Sequence, residues 1–245
     1  METPLKPILL LADSQLLFWR QEEELFLARL REMLVGQQPK AAYVGASNGD
    51  QPEFYQLFQG AMSGVGIDQC RMIPTEPTEA DLAFLDQADW ILLAGGDPML
   101  GWKSFLRNGL HQKIPERYYS GALLTGVSAG AMQLGLHGIE EAGEQPGGLF
   151  ETFKLVPYLI DVHSEPSWRR LRAAMPQAGE HLCGLGIPSG GGALVHPDLS
   201  VEPIRHPLTE VRFANDRVSQ ALIFPPRAGE ESLLAEAPSD TEAVN

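Results

Sequence analysis

The chain has 245 residues, 44% of them hydrophobic and 20% charged, an ordinary balance for a globular protein able to bury a sizeable core. Lysine and arginine number 18 against 32 aspartates and glutamates, and the resulting net charge of −14 disfavours a nucleic-acid partner. The two cysteines, Cys70 and Cys183, lie far apart without a CxxC pair, which excludes a disulfide framework and a zinc-ligand pattern.

Residues 8–12 (Ile-Leu-Leu-Leu-Ala) predict a buried strand, too short for a bilayer span or a secretion signal, so a cytoplasmic protein without a membrane partner is expected. Leu25, Leu27, Leu30 and Leu34 predict a helix over about residues 22–34. Residues 41–46 read as a second strand, closed by the turn chemistry of Ser47-Asn48-Gly49-Asp50. Helix follows over 54–64, strand over 69–73 and a short helix over 79–87. Residues 90–94 form the next strand, broken at Gly95-Gly96-Asp97-Pro98 before a helix through 102–110. A strand over 122–126 then runs straight into Gly126-Val127-Ser128-Ala129-Gly130. Apolar strands alternating with helices indicate a mostly parallel sheet covered on both faces, with ligands bound beyond the carboxyl ends of its strands. After Gly190-Gly191-Gly192, the runs 193–196 and 201–204 suggest antiparallel additions at one sheet edge. Residues 1–225 are expected to form one α/β domain, and 226–245, rich in glutamate, an acidic disordered tail.

Gly-x-Ser-x-Gly between a strand and a helix is the pattern of a nucleophile elbow. The tight turn lifts the serine hydroxyl out of the sheet and aims it at a helix N-terminus, whose free N–H groups can stabilise an oxyanion. Ser128 needs a base, and His163 is best placed among the six histidines because Leu159-Ile160-Asp161-Val162-His163 reads as a strand end. For the acid that fixes the base, Glu140, Glu141, Glu144 and Asp161 compete.

These residues resemble the peptidase E and cyanophycinase family of serine peptidases. The resemblance rests on Gly95-Gly96-Asp97, on the elbow through Ala131, and on Leu155-Val156-Pro157 leading to Ile160-Asp161-Val162-His163. Gly184-Leu185-Gly186-Ile187-Pro188 and Ala193-Leu194-Val195 are similar to the family's late strand pair. It implies a three-layer αβα sandwich like that of class I glutamine amidotransferases, and cleavage of bonds involving aspartate. Carried over by motif, Ser128 is the nucleophile, His163 the base, and the Gly96 and Ala129 N–H groups the oxyanion hole. The acid falls at Glu141 or its neighbour Glu140, and Asp97 is implied in substrate binding. Three departures stand out. Pro98 and Val162 replace glutamines of the cyanophycinases, and of three arginines after the histidine only Arg169 and Arg172 remain, with Ser167 at the first position. Those two arginines could clamp an acidic peptide, whereas cyanophycin itself is disfavoured. No cofactor or metal is expected, the partner is a small peptide substrate, and a homodimer is left open. A glutamine amidotransferase would need cysteine where Ser128 stands. A binding or sensor domain that keeps the scaffold without chemistry is the alternative.

Overall fold

In the computed structural model, which describes residues 4–21, 23–36, 38–140 and 147–226, the apolar runs become strands and the segments between them largely helices. Strand β1 (Ile8–Leu11) leads into a 3-10 turn (Ser14–Phe18), a small hairpin of β2 (Arg20–Gln21) and β3 (Glu24–Leu25), and helix α1 (Phe26–Glu32). There follow β4 (Lys40–Val44), α2 (Pro52–Ser63), β5 (Gln69–Ile73), α3 (Glu79–Leu85), β6 (Trp90–Leu93), α4 (Pro98–Asn108), α5 (Leu110–Tyr119), β7 (Leu123–Val127) and α6 (Ala129–Leu134). A hairpin of β8 (His137–Ile139) and β9 (Leu149–Glu151) precedes β10 (Tyr158–Val162), α7 (Arg169–Ala178) and β11 (Cys183–Ile187). The described chain closes with β12 (Gly192–Val195), β13 (Val201–Ile204), β14 (Leu208–Ala214) and β15 (Arg217–Ile223).

The main sheet has seven strands in the order β13-β12-β1-β7-β6-β4-β5. β1, β7, β6, β4 and β5 run parallel, and β12 and β13 join antiparallel beside β1, as the short late runs suggest. Period-two alternation puts one set of apolar side chains on each face. Leu10, Val44, Ile91 and Leu124 pack with Trp102, Phe105 and Ile114 of α4 and α5. Leu9, Leu11, Leu92 and Leu123 pack on the other side with Leu30 of α1 and with Phe58 and Met62 of α2. Each such side chain contributes about 1.5–3 kcal/mol on full burial, which is why both faces need helices and the sandwich forms.

Three elements differ from the sequence reading. Helix α1 starts at Phe26 because Arg20 and Gln21 pair with Leu25 and Glu24 as a hairpin and Leu25 is extended. The helix expected over 102–110 is two helices, separated by Gly109 at φ 73, and the second runs on to Tyr119 with Pro115 inside it. The late strand pair is divided between sheets: β11 lies parallel to β10 and antiparallel to β14, whereas β12 flanks β1. The sandwich therefore carries a second, four-stranded sheet in the order β10-β11-β14-β15. Its inner face, with Ile160, Val162, Leu185 and Ile187, joins the core of α4 and α5. Its outer face receives α7 through Trp168, Leu171 and Met175. Among the described residues no helix is long and apolar enough to cross a membrane. Residues 227–245, nearly all of the expected tail, lie outside the described residues.

Candidate active site

The carboxyl ends of β1, β4, β6 and β7 share one edge of the main sheet, and the loops leaving them meet there. Ser128 follows β7 directly, with φ 49 and ψ −109, a region that costs a non-glycine residue about 1–3 kcal/mol. Its N–H donates to Leu11 O at 2.8 Å, which continues the sheet pairing while the turn reverses the chain. Two glycines make the turn sterically feasible. A Cβ on Gly126 would stand 2.5 Å from the Gly130 carbonyl, and one on Gly130 would stand 2.3 Å from Leu93 O. Both flanking positions of the pattern are therefore points where backbone touches backbone.

His163 follows β10 of the second sheet and also has positive φ, at 40. Its N–H donates to Ile187 O at 2.9 Å, so it too is held at a strand end. This brings His163 Nε2 to 2.9 Å from Ser128 Oγ. Nucleophile and base candidates thus come from different sheets, a juxtaposition that chain order alone does not specify.

The Gly95-Gly96 turn lies against the elbow. A Cβ on Gly95 would sit 3.3 Å from Ser128 Cβ, and one on Gly96, at φ 127, would overlap Ser47 O at 2.1 Å. Asp97 N–H donates to Ser47 O at 2.8 Å, and Asp97 Oδ1 caps α4 by accepting from the Met99 and Leu100 amides, each at 2.9 Å. The carboxylate expected to bind substrate is thereby engaged in local structure. Ala129, the first residue of α6, carries one of the N–H groups that a helix start leaves without an intrahelical partner. A residue not singled out from the sequence ties these loops together. Gln133, fully buried on α6, donates from Nε2 to Ser47 Oγ at 3.1 Å and to Pro98 O at 2.8 Å.

The carboxylate candidates separate clearly. Asp161 is completely buried and faces α7, where Arg170 Nε donates to its Oδ1 at 3.0 Å. Arg170 is thus half-buried and paired with Asp161. Glu140 is exposed and lines a second hollow with Asp97 and Lys103. Glu141 and Glu144 lie outside the described residues. Among the described residues no carboxylate hydrogen-bonds to His163. Glu165, two residues further on and not weighed from the sequence, accepts from Ser189 N at 3.0 Å. Desolvation pushes the Glu165 carboxyl upward. The hydrogen bonds from its own amide and from Ser189, together with the nearby His163, outweigh that and hold it below the usual carboxylate range. It therefore stays charged beside the imidazole.

Ser128 and His163 line a cleft of about 650 Å³ on the face of the main sheet that carries α2. Its walls include Leu17, Tyr43, Phe54, Leu57, Phe58, Leu100 and Val127, with Gly95 and Gly96 at the edge and Asp13 among the polar groups. Among the described residues no lysine or arginine lines it. Arg169 and Arg172 are exposed on α7, on the outer face of the second sheet, and are not brought to the cleft. The cation that an acidic substrate side chain would need is thus not supplied by either arginine. Cys70 and Cys183 do not line it either, and burial pushes the Cys70 thiol up to about 11, so no thiolate is available at this edge. Among the described residues no group of three histidine, cysteine or acidic side chains is arranged to hold a metal ion.

No curated protein sequence matches the chain. Among solved structures, a peptidase from an acI-B1 Actinobacterium is similar in fold: 16% identity, TM-score 0.67, covering 91% of this chain and 96% of the other. A Listeria monocytogenes EGD-e protein assigned to peptidase E superposes with a TM-score of 0.57 at 15% identity, covering 86% of this chain and all of its own. The profile of peptidase family S51 matches residues 8–191, well over half of the sequence, and the chain belongs to that family of serine peptidases.

Proposed function

We propose that the protein hydrolyses a peptide or amide bond of a small peptide without a cofactor, using Ser128 as nucleophile and His163 as general base and then acid. The observation that carries this reading is the 2.9 Å contact between Ser128 Oγ and His163 Nε2 in the mouth of a cleft. In the first half-reaction the Ser128 Oγ–carbon bond forms as the hydroxyl proton passes to His163 Nε2. The Gly96 and Ala129 N–H groups receive the oxyanion, and each such donor contributes about 3–4 kcal/mol to the transition state in comparable hydrolases. Collapse breaks the carbon–nitrogen bond, and His163 returns the proton to the departing amine. Water then attacks the acyl-serine, giving one proton to His163 that finally restores the serine hydroxyl.

Glu141, outside the described residues, is the proposed acid, with the Glu165 carboxylate supplying a further negative charge beside the imidazole. Acid-quenched intact-mass analysis with a peptide library tests the scheme. Wild-type protein should release new amines and carry a transient acyl group on Ser128. Ser128→Ala should do neither, and His163→Ala should fall by about three or more orders of magnitude. Undiminished turnover by either variant would refute it.

A further inference from the structure

The cleft beside Ser128 is built from surface that a protein of this size ordinarily hides. Phe54 and Leu57 of α2 are each 42% exposed and Leu100 of α4 is 50% exposed, yet all three converge on one hollow. Large apolar side chains scattered singly over a surface need no explanation, but several gathered around a concave site mark a binding surface. Phe54 and Leu57 sit one helical turn apart on α2, so both project toward the same wall. Buried Phe58, Leu17 and Val127 continue that wall inward.

Of the polar lining, Ser14, Ser47, Asn48 and Gln51 are uncharged. Tyr43 is mostly buried, accepts from Asn48 Nδ2 at 2.8 Å, and burial pushes its phenol up to about 12, so it stays neutral. The one acidic side chain on the wall among the described residues is Asp13, whose two oxygens accept from Gln15 N at 2.9 Å and Gly190 N at 2.6 Å. A carboxylate entering here would lose water, meet no lysine or arginine among the described residues and face the acidic Asp13. An apolar side chain would lose nothing and cover the exposed phenyl and leucine surface.

Resting on the reading of Ser128 as nucleophile, we propose that this cleft selects an apolar, aromatic or branched side chain on the residue that supplies the scissile carbonyl, and rejects an acidic one. Because Gly95, Gly96 and Ser128 form its edge, a side chain in the cleft sets its own carbonyl beside the nucleophile.

The test uses aminoalkylphosphonate diphenyl esters bearing phenylalanine, leucine or aspartate side chains, in which Ser128 Oγ displaces phenoxide from phosphorus. A small fluorophosphonate without a side chain serves as reference for the nucleophile alone. The phenylalanine and leucine probes should inactivate the protein at least about tenfold faster than the aspartate probe, the discrimination an apolar pocket provides. In Phe54→Ala/Leu57→Ala, which keeps α2 helical, that advantage should fall about tenfold. If the fluorophosphonate reacts but the aspartate probe is as fast or faster, or no side-chain probe reacts, the substrate proposal is overturned while the nucleophile stands. If the well-folded protein resists the fluorophosphonate too, both readings fall.

Discussion

At the scale of single residues, Ser128 and His163 share a device. Each lies one position beyond a strand, donates its amide to the last carbonyl of a neighbouring strand, and then turns through positive φ. The sheet fixes the backbone and the turn frees the side chain, so their strain is maintained by the surrounding pairing. The identities of both residues were legible in the sequence, because a glycine-flanked serine after an apolar run and a histidine at a strand end are local patterns. The carboxylates were not, since their partners are set by tertiary packing: Asp161 turns outward to Arg170, and Glu165 turns to Ser189. The remaining acids separate by size of effect. Glu141→Gln should lower kcat/KM by about two to four orders of magnitude, the range for losing the group that orients a catalytic histidine. Glu165→Gln should cost less than about tenfold, as a charge in reach but without a hydrogen bond. Steady-state kinetics on both variants checks this, and the opposite ranking would transfer the orienting role to Glu165.

At the scale of elements, the elbow is an interlock of strand β7, helix α6 and strand β6. Gly130→Ala would drive a methyl into Leu93 O, 2.3 Å from the ideal Cβ position, and nothing in a sheet backbone can yield cheaply. We expect a loss of about 2 kcal/mol or more in urea unfolding together with loss of activity, because β6 also positions the Gly95-Gly96 turn. A wild-type stability for this variant would show that the elbow is looser than described. Helix α3 offers a pH test. Burial pushes the Asp81 carboxyl upward, but hydrogen bonds from Thr78 and Arg71 outweigh it and hold the carboxyl below its ordinary value. A lowered folded-state value means stability that is present above the unfolded value near 3.8 and lost as pH falls through the folded one. Asp81→Asn should therefore cost about 1 kcal/mol near neutral pH and progressively less in acid. A cost independent of pH would contradict the assignment. Most elements were visible in the sequence: β5 and the start of α3 fall where the apolar pattern puts them. Helix α5 was not, because Pro115 signals a break that tertiary packing of Leu110, Ile114 and Tyr118 overrides.

At the scale of the whole molecule, the candidate site exists because two sheets meet. The main sheet supplies Ser128 and the second supplies His163, and the core containing Leu124, Ile160, Val162 and Leu185 holds them in register. The sequence indicated one sheet, because nothing local distinguishes a strand that joins β1 from one that joins β10. The cleft was hidden for a similar reason: Phe54 and Leu57 of α2, Leu100 of α4 and Leu17 belong to three segments and look like ordinary helix faces until the fold gathers them. The meeting of the sheets gives the central claim, that Ser128 is a nucleophile activated by His163, a direct measurement. Intact-mass spectrometry of the full chain after exposure to a small fluorophosphonate should show a single adduct on the peptide carrying Ser128. The adduct should be absent in Ser128→Ala and strongly slowed in His163→Ala. A folded wild-type protein that takes up no label, or a label that persists in Ser128→Ala, would contradict it.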